Sequence, residues 1–99
     1  MKDRDEYRLS SIFPKVMFWD VDMDTLSIVY DDDFIIQRVL SRTVRDINDL
    51  HKLENLYSIN KIKYYALNSN EIRGNELISF IAEHYDLNPI DFRNWLKLP

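Results

Sequence analysis

The chain has 99 residues, 45% of them hydrophobic and 13% aromatic, which is material for one compact core and leaves no room for a second. A net charge of −4 and a pI near 5.0 argue against the strongly basic surface that phosphate neutralisation demands. The lack of Cys excludes a disulfide framework, a thiolate zinc site and a cysteine nucleophile. No apolar run approaches the ~20 residues that span a bilayer, and the charged start Met1-Lys2-Asp3-Arg4-Asp5-Glu6 does not read as a signal peptide, so a cytoplasmic protein is expected.

One Gly and three Pro in the whole chain favour helices over turn-rich sheet. Residues 1–13 are expected to form a loosely packed N-terminal arm before Pro14. Val16–Phe18 and Leu26–Tyr30 are short apolar runs rich in β-branched and aromatic residues, and a small hairpin joined by Asp22-Met23-Asp24-Thr25 is the alternative to a short helix or irregular packing segment there. Asp31, Asp32 and Asp33 stand ahead of Phe34, where carboxylates suit the free amides and positive dipole end of a helix over about Asp33–Arg42.

Thr43 with Asp46 resembles a capping box. Val44, Ile47, Leu50, Leu53 and Tyr57 then recur at helical spacing, which predicts a second helix to about Tyr57. Ser58 caps a third carrying Ile59, Ile62, Tyr65 and Ala66, which ends in Asn68-Ser69-Asn70. Gly74 or Asn75 opens a fourth with the stripe Leu77, Ile78, Ile81 and Tyr85. Asn88 and Pro89 are suited to start a fifth, with Ile90, Phe92, Trp95 and Leu96 on its buried face. The fold class is therefore all-α: one domain, a compact bundle of about five short helices.

The aspartates imitate several active sites. Asp20, Asp22, Asp24 and Asp31 echo a calcium loop, but Thr25 stands where Gly must make the sharp turn. Aspartyl-phosphate chemistry needs a Lys-stabilised phosphate site on a larger α/β scaffold, and a nucleotidyltransferase Asp-x-Asp needs a Gly-Ser turn before it; the chain's single Gly is Gly74, far downstream. Caps and solvated turns are the simpler reading of these residues. His51 and His84 lie 33 residues apart with no Cys nearby, and read as surface or half-buried helix residues; no metal, cofactor or catalytic residue is expected.

Charge is uneven. Residues 1–33 carry nine acids against four bases, whereas residues 34–99 carry eight acids against nine bases. Arg38, Arg42 and Arg45 fall at i, i+4 and i+7, one face of a continuous helix, either as an anion-facing stripe, as a solvated face or as partners of the N-terminal aspartates. Phe18 and Trp19 are adjacent and point in different directions, so one of them is a candidate exposed anchor.

The Phe18-Trp19-Asp20-x-Asp22 block, Leu26 and Phe34-Ile35-Ile36-x-Arg38-Val39-Leu40 resemble small bacterial proteins of a domain of unknown function common in Bacteroides-type genomes. Leu77, Phe80, Tyr85 and Asp91-Phe92 are similar more loosely, and Thr43 stands where that pattern has Gly. Such proteins are often encoded beside nucleotidyltransferase-like toxins, so the resemblance implies an antitoxin-like or accessory partner. The expected function is a protein-interaction module and not an enzyme, with Phe18, Trp19, Asp20, Asp22, Arg38, Arg42 and Arg45 as its binding residues and a homodimer as one form it can take. The alternative is a DNA-associated regulator whose last two helices are spaced like a helix-turn-helix, although the acidic pI argues against nucleic acid.

Overall fold

The structure, a computed structural model, describes residues 8–97. Four α-helices carry the fold: α1 (Asp32–Arg42), α2 (Ile47–Leu56), α3 (Ile59–Asn68) and α4 (Asn75–Tyr85). Short 3-10 turns at Leu9–Ser11, Lys15–Phe18 and Met23–Thr25 precede them, and another follows at Pro89–Asp91. The fold is all-helical, and no strand occurs among the described residues. None of the described helices is long and apolar enough to cross a membrane.

Helix α1 is the hub, packed against α2, α3 and the Lys15–Phe18 turn. Its sequence explains why: Ile35, Ile36, Val39 and Leu40 are all fully buried, an apolar arc too wide for a helix with only one neighbour. The helix starts at the aspartate run as expected. Lys61 of α3 donates to Asp32 at 2.6 Å, tying the two helices at that end. The amide of Ser27 donates to the Asp31 carboxylate, and Tyr57 Oη donates to the Ile28 carbonyl at 2.7 Å, so the loop before α1 is closed on itself and fastened to the residue that ends α2. Burial, then the charges of Asp32 and Asp31, push the Tyr57 hydroxyl well above its ordinary ionisation range.

The second helix begins later than its periodicity predicts. Thr43 closes α1, its amide donating to the Val39 carbonyl, and Arg45 then turns the chain with φ +62°. Asp46 is the true cap of α2, accepting from the Asn48 amide. The Thr43 hydroxyl donates to the buried Asp49 carboxylate at 3.0 Å, which fixes the corner. Val44 and Ile47, counted on the apolar stripe, are therefore exposed. Ser58 caps α3 through its Oγ, which accepts from the Lys61 amide.

Helix α4 is entered through Gly74 at φ +92°, a conformation that glycine alone adopts cheaply, and no atom lies within 4 Å of the place a Cβ would occupy. It ends in a Schellman turn: Asp86 is left-handed, and the Leu87 amide donates to the Ala82 carbonyl at 2.8 Å.

The fifth helix is not formed. Beyond Pro89–Asp91 the chain becomes a strap that keeps one local bond, Trp95 N to the Phe92 carbonyl, and otherwise bonds to other elements. Arg93 N donates to the Leu67 carbonyl, Asn94 Nδ2 to the carbonyls of Ser69 and Ile72, and Leu96 N to Asn75 Oδ1. Phe92 is buried, but Ile90 and Leu96 are exposed, which is not the face a helix would bury. The recognition helix of the regulator reading is thus absent from residues 89–97. At the other end, Leu9 and Phe13 are core residues, so packing begins within the stretch read as a loose arm. Residues 1–7 of that arm lie outside the described residues.

A strap and a helix respond differently to truncation. Phe92→Ala is expected to destabilise by about 3–5 kcal/mol and Ile90→Ala by well under 1 kcal/mol, read from urea unfolding midpoints. Comparable losses at both positions would restore the amphipathic helix.

Candidate functional site

Two places bring polar groups together. The first is built on Arg38, which α1 carries on the side facing the N-terminal turns. Its side chain is almost wholly buried, and three hydrogen bonds hold its guanidinium. Nη1 and Nη2 grip the two Asp20 carboxylate oxygens at 2.5 and 3.0 Å, and Nη1 also donates to the Met17 carbonyl at 3.2 Å. The guanidinium lies over the Phe34 ring at 4.8 Å and the Phe18 ring at 5.8 Å. Planar bidentate pairing and aromatic stacking together suit Arg and not Lys. Phe18 in turn packs between Phe13 and Phe34, with centroids 6.4 Å apart on each side.

This clamp decides the fate of the sequence-derived binding residues. Phe18 and Arg38 are buried in the interior. Trp19, the next residue, is 71% exposed, and Val16 is 74% exposed. The arginine stripe is broken: Arg38 faces inward, Arg42 is the last residue of α1, and Arg45 lies in the reversed corner, 3.5 Å from the exposed Glu76. The aspartates do not converge. Asp20 binds Arg38, Asp22 caps the Met23–Thr25 turn, Asp24 accepts from Ser10 Oγ and Asp31 holds the Ser27 amide. One clamp, one turn cap and two loop contacts account for the run that imitated a calcium loop.

The second place was missed. His51 and Glu54 of α2 and His84 of α4 bring one ligating atom each within 4.8 Å of one another. His84 Nε2 is 2.7 Å from Glu54 Oε2, and the two imidazoles are 5.9 Å apart. The cluster edges a cavity of about 290 Å³ lined by Glu54, Ile59, Lys63, His84, Tyr85 and Asp86. The Tyr85 ring meets His84 edge-on at 4.6 Å. Its hydroxyl is buried with no hydrogen-bond partner. Burial first, and the nearby Glu54 carboxylate second, push its ionisation far upward, although the two groups lack hydrogen-bonding geometry in this structure. The local signal was His51-x-x-Glu54, an i, i+3 pair on one helix face; the long-range partner in α4 carries no signal in a linear reading.

Fold and clamp define a small all-helical protein in which an ordered N-terminal segment is locked onto a central helix. The chain belongs to a family of unknown function, DUF6922, whose pattern it matches over residues 13–66. The matched stretch holds every clamp residue and runs into α3; α4 and the C-terminal strap lie beyond it. No curated protein and no solved structure matches the chain.

Arg38 holds the Asp20 carboxyl below its ordinary value of 3.8, chiefly by hydrogen bonding and in smaller part by its charge and that of Arg42, against some desolvation. A depressed folded-state value means that this stabilisation is complete above the unfolded value and is lost as pH falls through the folded one. The stability gap between wild type and Asp20→Asn is therefore expected to be widest at about pH 7 and to close below about pH 4, measured by urea midpoints across that range. A gap that stays constant would assign Asp20 a role of shape instead of charge.

Proposed function

We propose that this protein is an interaction module that binds a protein partner through the outer side of its clamped N-terminal segment, and that it has no catalytic role. The observation that carries this reading is the exposure of Trp19 beside the buried clamp. Residues i and i+3 eclipse one another in 3-10 geometry, so Val16 and Trp19 share one side of the Lys15–Phe18 turn. An exposed Trp on loose backbone would be costly to order on binding; here the Arg38 grip on Asp20 and Met17 has already fixed it. Trp is among the residues that dominate interface energies. Asp20, Asp22 and Asp24, all exposed, rim the same segment and favour a basic partner surface.

The finer reading is an antitoxin-like role in the cytoplasm. The resemblance to proteins encoded beside nucleotidyltransferase-like toxins supports it, as does the acidic character of the segment. Coexpression with such a neighbouring gene product is the direct test. The pair is expected to copurify, and Trp19→Ala to weaken the complex by about thirtyfold or more, the loss that marks an interface hot spot, while thermal unfolding of the free protein is unchanged. Failure to associate, or an unaltered affinity in the variant, would overturn the proposal.

A further inference from the structure

We propose that His51, Glu54 and His84 form a binding site for a divalent transition metal of the zinc class, joining α2 to the last turn of α4. This site shares no residue with the Trp19 surface. Two imidazoles and one carboxylate are a donor set that zinc accepts with one position left over for water or another ligand. Without thiolates the set suits zinc and its borderline neighbours better than a soft cation, and its nitrogens suit them better than calcium or magnesium.

The geometry is close to what the ion requires. At zinc–ligand distances of about 2.0–2.1 Å, tetrahedral donors sit about 3.3 Å apart. The donor atoms here already lie within 4.8 Å, and the Glu54–His84 contact needs only to open slightly from 2.7 Å. His51 is exposed and can make the remaining approach by side-chain rotation, while α2 holds His51 and Glu54 on one face. Glu54 and His84 are both largely shielded, with side-chain exposures of 22% and 19%, which limits competition from water.

Two further features fit a ligand. Tyr85 lines the same cavity, and its buried hydroxyl has no hydrogen-bond partner, a polar group left unsatisfied beside the donor set. Around that cavity the carboxylates of Glu54 and Asp86 outnumber the one ammonium, Lys63, so the local charge favours a cation.

The test uses the full chain without an affinity tag, titrated with Zn²⁺ by calorimetry and with Co²⁺ by visible absorption. The expected result is one saturable site per chain, with the intense absorption of a four-coordinate cobalt centre. His51→Ala, Glu54→Gln and His84→Ala are each expected to weaken binding at least about tenfold, the lower bound even for loss of an outer-shell partner. His51 is the decisive position, because its exposed side chain can be removed without unfolding the core. Absence of saturable binding, or wild-type affinity in folded His51→Ala, would overturn the proposal. So would a six-coordinate cobalt spectrum indistinguishable from the aqueous ion, the mark of an adventitious ion only.

Discussion

The Arg38 guanidinium is the constraint on which the N-terminal half depends. It is buried on α1, and its charge is met on every side: by both oxygens of Asp20, by the Met17 carbonyl and by two aromatic faces. A buried cation that lost these partners would carry a large desolvation cost, so the chain from Met17 to Asp20 has only one inexpensive arrangement. That arrangement places Phe18 inside and Trp19 outside, with Met17 and Phe18 closing over the apolar arc of α1. Segment 15–25 has little regular structure of its own. Its order comes from what it is fastened to.

The charge asymmetry along the chain takes on a physical meaning here. The acidic first third and the more basic remainder meet across the fold, Asp20 with Arg38 and Asp32 with Lys61. One pair sits at the start of α1 and the other at its middle, and they do different work. Arg38 reaches back to the segment before α1, whereas Lys61 reaches forward from α3. The shifts of Asp32 downward and Lys61 upward agree in direction, as expected of a pair that favours both charged forms. Both pairs make α1 a helix held from two sides by ions as well as by its core residues.

Local chemistry was legible in the sequence where it was decided locally. The aspartate run at the start of α1, Ser58 before α3 and the glycine before α4 each mark a helix start through local preference: acidic groups at the positive dipole end, a serine cap, and a backbone turn with positive φ. The apolar stripe of α4 was legible for the same reason. The misreadings fall where distant groups decide. Periodicity could not reveal that Arg45 would reverse the chain, and residues 89–97 carried a helical pattern whose backbone is claimed instead by Leu67 and Asn75, while the Asn94 side chain bonds Ser69 and Ile72. The aspartates looked like a site because their spacing is regular, whereas His51, Glu54 and His84 did not because their meeting is made by the packing of the helices that carry them.

The family match ends at Ala66, two residues before α3 itself ends, and this boundary cuts through the packed interior. Ile62 and Ala66 are buried on a helix that rests against α1 on one flank and α4 on another. The stretch matched to the family is accordingly not closed on itself in this fold. Within this molecule α3 belongs to both halves, and loosening either side exposes surface that the other was covering.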